Sequence, residues 1–377
     1  MDFDLTWLLW GLPIAFGLGW AASRLDLRQL RIENRLAPKA YFRGLNFLLN
    51  EQQDQAIDAF IEAVQKDPDT SELHFALGNL FRRRGEYERA VRVHEHLLSR
   101  GDLSRADRNR AQHALALDYL KAGLLDRAEE ALRKLAGTPY EQESLLALLA
   151  IYERSRDWVQ ATEIARQLEA GARGQFTGRL AHYLCEQAGV AAPAEAELLL
   201  RKAMGVAPMA PRATIELAAL RRLAGDARDA FELLARLLQS GPRAIPLVAR
   251  PLAEAAIAAD RQPEALRLLR DSYDQYPSLD VLDGIASLES SPQAARGWYV
   301  QHLKREPSLV AAAKWLAGEK LEHEEFHPHV QRALDHAAKP LTRYRCAACG
   351  FEAKQHFWQC PGCQAWDSYP ARRVEEL

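Results

Sequence analysis

The stretch "GLNFLLNEQQDQAIDAFIEAVQKDP", residues 44–68, sets Gly44, Phe47, Ala56, Phe60, Ala63 and Pro68 at spacings that return along the chain. Shifted by 34 residues, "LGNLFRRRGEYERAVRVHEHLL" (77–98) carries Gly78, Phe81, Ala90, His94 and Leu97 in the same register. "LALDYLKAGLLDRAEEALRKLAGTP" (115–139) follows with Ala116, Tyr119, Ala128, Leu132 and Leu135, and "LLAIYERSRDWVQATEIARQL" (148–168) with Leu149, Tyr152, Ala161, Ala165 and Leu168. Three later runs keep the second half of the pattern: Ala230, Leu234, Leu237 and Pro242; Ala265, Leu269, Ser272 and Pro277; Ala295, Tyr299, His302 and Pro307. A constant period of this kind is a stack of helical hairpins. Small residues let the two helices of a hairpin approach, bulky ones fill the space beside them, and proline stops the second helix. About eight units run from 38 to 307. Two depart from the norm: "AGVAAPAEAELLLRKAMGVAP" predicts a lengthened first helix, and Ser287, Ser290 and Ser291 a short one.

The pattern resembles the tetratricopeptide repeat. That resemblance implies an all-α superhelix with a concave groove for peptides or partner proteins. The first helix of each unit would line the groove, so exposed positions on 38–50, 72–83 and 110–121 are the expected contact sites. His74, His94 and His113 read as surface or packing residues, and Cys185 as a small buried hydrophobe. No nucleophile–base pair, glycine-rich phosphate loop or catalytic carboxylate pair stands out, so no catalytic residue and no enzyme activity is expected. Charged residues make up 27% with a formal net charge of −2, which excludes a global basic field for nucleic acid.

The amino terminus has a different character. Leu5 to Ala22, "LTWLLWGLPIAFGLGWAA", is 18 residues without a charge. As a helix it spans about 27 Å, close to a hydrocarbon core of about 30 Å. Trp7, Trp10 and Trp20 fall near its ends, where interfacial rings belong. Asp2 and Asp4 precede it, where a signal peptide would carry basic residues. Arg24, Arg28, Arg31, Arg35, Lys39 and Arg43 follow, so the positive-inside rule predicts a single-pass anchor with the carboxyl terminus in the cytoplasm.

At the other end, "YRCAACGFEAKQHFWQCPGCQAWDSYP" (344–370) holds four of the five cysteines. Cys346–Cys349 and Cys360–Cys363 are two CxxC turns separated by ten residues. Four thiolates at that spacing predict one tetrahedral metal ion, iron or zinc. Tyr344, Phe351, Phe357, Trp358, Trp366 and Tyr369 supply a small aromatic core, with Trp358 and Trp366 suited to dock on nearby repeats. Gly350 eases the first turn, whereas Gln364 at the matching place predicts a less regular second one. Between array and cysteines, His323, His327, His329 and His336 lie among Glu322, Glu324 and Glu325 with no recognisable ligand spacing, and read as a solvated helix–turn–helix linker.

The cysteine segment resembles a shortened rubredoxin-type knuckle domain. The whole order resembles the lipopolysaccharide assembly protein B family of Gram-negative bacteria, most specifically through "YRCAACGF", "WQCPGCQAWDSYP" and the tryptophan-rich span. Expected divisions are a membrane anchor (1–23), a basic linker (24–37), the repeat array (38–307), a helical linker (308–341), the metal domain (342–371) and a tail (372–377). The resemblance implies an inner-membrane scaffold that brings LpxC, the deacetylase committing lipid A synthesis, to the FtsH protease, with other inner-membrane lipopolysaccharide proteins as possible partners. Cys346, Cys349, Cys360 and Cys363 carry over as metal ligands. A membrane-tethered electron carrier using rubredoxin-type iron is the alternative.

Overall fold

The computed structural model describes residues 13–20, 41–171, 175–241, 244–319 and 325–377. They form two compact units, divided between Ser155 and Arg156. Residues 13–20 are helical, and the rest of the expected anchor lies outside the described residues. Among the described residues no helix is long and apolar enough to cross a membrane.

The first unit contains α1 (41–49), α2 (Gln53–Lys66), α3 (Ser71–Arg84), α4 (Tyr87–Ser99), α5 (Arg105–Ala122), α6 (Leu125–Arg133) and α7 (Glu141–Ser155). Successive helices pack as antiparallel pairs around Ala56, Phe60, Ala63, Leu77, Phe81 and Ala90, the positions that the repeat makes small or bulky. Gly44 and Gly78 show why: a Cβ on Gly44 would meet the Phe60 ring at 2.8 Å, and one on Gly78 the His94 ring at 2.5 Å. His94 is fully buried as a packing residue, and it has a partner. Its Nδ1 meets Asp118, which also accepts from Arg82 Nη1 at 2.8 Å, so one buried carboxylate joins α3, α4 and α5.

The second unit continues with α8 (Trp158–Ala170), α9 (Thr177–Ala188), α10 (Pro193–Val206), α11 (Pro211–Leu223), α12 (Ala227–Ser240), α13 (Ile245–Ala258), α14 (Gln262–Gln275), α15 (Leu279–Leu288) and α16 (Pro292–Arg305). Among the described residues sixteen helices lie between 41 and 305. The lengthened first helix is not found: α9 has 12 residues, and Pro193 at the start of α10 fixes the turn after it. The serine-rich unit does have a short first helix of 10 residues, and Ser291 caps α16 by accepting from Ala294 N. Cys185 is buried as expected, and burial pushes its thiol up to about 12, which leaves it unreactive.

Beyond the array, α17 (Leu309–Leu316) and α18 (His327–Ala338) form the helical linker. Only α18 is solvated. Val310, Ala311, Ala313 and Leu316 of α17 are buried, so α17 continues the repeat core and covers its end. His327 Nε2 donates to the Leu316 carbonyl at 3.0 Å, and His329 lies beside Arg332. Among the described residues these histidines form no metal-binding group.

Candidate metal centre and its seat on the repeats

Two short strands, β1 (Tyr344–Arg345) and β2 (Glu352–Ala353), pair antiparallel and bring the first cysteine turn back on itself. Each turn closes with the same two backbone bonds. Cys346 N donates to Phe351 O at 2.9 Å and Gly350 N to Cys346 O at 2.9 Å. In the second turn Cys360 N donates to Ala365 O at 2.9 Å and Gln364 N to Cys360 O at 2.8 Å. Gly350 has φ +77° and Gln364 φ +61°, so the second turn is as regular as the first. Gln364 adopts the left-handed conformation that the turn dictates, at a cost of about 1 kcal/mol relative to glycine.

The four sulfurs face one another, all within 4.8 Å. Cys346 and Cys363 Sγ are 3.8 Å apart, and Cys349 and Cys360 Sγ 3.7 Å. A tetrahedral ion with bonds of about 2.3 Å needs sulfurs about 3.8 Å apart, so the residues present fit the metal. Their protonation points the same way. Burial pushes the Cys346 thiol up, but bonds from Ser368 and from the N–H groups of Cys349 and Ala348 outweigh it and bring it down to about 6. Burial likewise opposes ionisation of Cys360, and the N–H groups of Cys363 and Gly362 overcome it. Cys349 is pushed up to about 12, the Phe351 N–H being outweighed by burial and by the three neighbouring thiols. Four crowded sulfurs cannot all ionise alone, and a bound dication compensates that charge. All four ligands come from protein, which leaves no open position for a substrate. The donor set suits zinc and iron alike.

Sequence spacing located these cysteines, and also the two tryptophans that face the array. It did not locate where they land. Trp366 packs on α8 and α9, far back in the sequence. Its ring stacks on His182 at 4.8 Å and meets Trp158 and Tyr183 edge-on at 5.9 and 5.8 Å. Asp367 Oδ1 accepts from His182 Nε2 at 2.9 Å, while His182 Nδ1 lies 3.4 Å from Arg212 Nη1. A donor on one side and an acceptor on the other place the hydrogen on Nε2. Arg212 is held in turn by Glu216 at 2.6 Å and Glu186 at 2.8 Å.

The tail makes a second attachment, which sequence reasoning missed. Arg373 donates to both oxygens of Asp280 on α15, at 2.5 and 2.9 Å, and lies 4.1 Å over the Tyr344 ring. Tyr344 OH reaches the same carboxylate at 3.1 Å. Glu376 accepts from Leu279 N at 2.7 Å, and Glu375 from Leu309 N at 2.6 Å and Ser308 Oγ at 2.7 Å. Two tail carboxylates therefore sit at the starts of α15 and α17, where free N–H groups and the helix dipole favour negative charge. The paired "SLD" and "SLV" at Ser278 and Ser308, ahead of a tail ending "VEEL", were the available signal.

Comparison with known proteins agrees with this geometry. Residues 344–369 match the family described as the rubredoxin metal binding domain. The chain is 30% identical to lipopolysaccharide assembly protein B of Escherichia coli K12, over 99% of this chain and 100% of that protein. It is 29% identical to the protein of the same name from Haemophilus influenzae, over 97% of each. A tetratricopeptide repeat protein of Parabacteroides merdae is 15% identical over 67% of this chain and 98% of its own, with a TM-score of 0.35. With 30% identity to the Escherichia coli protein along the full length of both chains, and a rubredoxin metal binding domain at 344–369, the chain belongs to the lipopolysaccharide assembly protein B family.

Proposed function

We propose that this chain is a non-catalytic adaptor anchored in the inner membrane, with its repeats and cage in the cytoplasm. It regulates lipopolysaccharide synthesis by bringing the LpxC deacetylase to the FtsH protease for degradation, and other inner-membrane lipopolysaccharide proteins are further partners. Support comes from the family's name, from an array built of helical hairpins, and above all from the seat of the cage. Its four ligands are complete and its aromatic face is spent on Trp158, His182 and Tyr183, so the metal fixes a surface. The test is capture of the full-length protein from its own membranes, together with LpxC half-life in cells lacking it. The adaptor reading expects LpxC and FtsH in the capture and a longer half-life without the chain. Absence of both partners with an unchanged half-life would refute it.

One observation favours a second reading, a membrane-tethered electron carrier. Cys349 and Cys363 are exposed, as a donor approaching the metal would require. An absorption spectrum before and after dithionite tests that reading: the carrier requires a reversible iron–thiolate band in the native protein, and its absence refutes the carrier.

A further inference from the structure

A cavity of ≈ 660 Å³ lies between the cage and the starts of α11 and α13. That volume is in the range of sites that enclose small ligands or short peptide ends, about 300–1,000 Å³. Its walls are mainly apolar: Met209, Pro211, Leu247 and Tyr276 from the array, Trp358 and Tyr369 from the cage. Met209 and Tyr276 are 73% and 42% exposed, a large apolar area to leave in water beside a tryptophan.

The charges in the cavity narrow the occupant. Arg372 lines it and is exposed, and among the described residues it makes no ion pair or hydrogen bond, whereas Arg373 beside it is held by Asp280. That guanidinium favours a single negative charge. A strongly acidic segment is disfavoured, because Asp367 also lines the wall. One carboxylate next to apolar side chains is what the end of an apolar chain presents.

We propose that this cavity holds the carboxyl terminus of a partner protein, its last apolar side chains against Tyr276, Leu247 and Trp358 and its α-carboxylate on Arg372. The proposal rests on the adaptor reading in that it assigns one contact of that adaptor.

The test is fluorescence anisotropy with the full-length protein and a pool of fluorescein-labelled octapeptides, Ser-Gly-Ser-Gly followed by four randomised apolar residues. The pool is used as the free acid, as the C-terminal amide, and as an amide with one internal glutamate. The free acid binds, and the amide binds about tenfold more weakly, the worth of one charge-assisted bond. Arg372→Gln removes the difference between acid and amide, and Tyr276→Ala weakens both; neither residue is buried, so folding is retained. No binding by the acid pool, equal binding of acid and amide, or an unchanged acid titration in Arg372→Gln overturns the proposal. Internal-glutamate binding as tight as the free acid overturns the chain end as its occupant. Client capture, measured on the same preparations, separates the readings: capture retained without peptide binding contradicts this site alone.

Discussion

At the residue scale, the repeat is enforced by contacts too close for a methyl group. Gly78 faces the His94 ring, where a Cβ would stand at 2.5 Å, and that ring is pinned by Asp118. Gly78→Ala is expected to cost about 1–3 kcal/mol, as overpacking does. The urea midpoint measures it, and the cycle with His94→Ala should be strongly non-additive because the smaller residue removes the clash. Additive losses would mean that the two do not meet. The position of Gly78 was legible in the sequence because the period demands a small residue there. The Asp118–Arg82 partnership was not, since a helical period specifies size and leaves polar pairing between neighbouring units free. Gln364 was misread for a related reason. Backbone closure of the knuckle, two hydrogen bonds in each turn, outweighs a side chain's preference for negative φ.

At the scale of elements, the helices were legible and their ends mostly so: Ser278, Ser291 and Ser308 are serine caps that the chain carries openly. The tail clamp was hidden, because Glu375 and Glu376 act on helices 66 and 97 residues away and no local pattern connects them. Deleting 372–377 should therefore do more than shorten a tail. It removes two helix-capping carboxylates, about 1 kcal/mol each. It also leaves the part-buried Asp280 without Arg373, about 3 kcal/mol more. Hydrogen exchange should report lost protection in 344–369 and at the starts of α15 and α17, with α2–α6 unchanged. Unaltered protection in the cage would show that Trp366 and Asp367 hold it unaided.

At the scale of the whole molecule, stability should fall on mild acidification. Burial holds His74, His113 and His302 below the ordinary 6.5. The unfolded chain then binds more protons than the folded one below that value, so stability present above pH 6.5 is lost as pH falls through it. Glu216 and Glu376 have the opposite sign: burial raises them above 4.5, and their contribution is present below that value and lost as pH rises through their folded pKa. The decisive comparison is therefore a difference. The drop in urea midpoint between neutral and mildly acidic buffer should shrink in His302→Gln, which replaces an imidazole whose Nδ1 lies 2.7 Å from Tyr273 OH. An unchanged drop would remove His302 from the account. The larger claim is that the metal holds a cage, the cage is fixed to α8, α9 and α15, and that surface serves partners. Cys346→Ser or Cys360→Ser should release the ion and abolish regulation while the chain stays helical. Both readings of the metal share that outcome. The measurement that divides them loads the full-length protein with zinc or with iron and compares, side by side, its capture of FtsH and LpxC. Equal capture by both forms is the result predicted here; capture by the iron form alone, changing with its oxidation state, would contradict it.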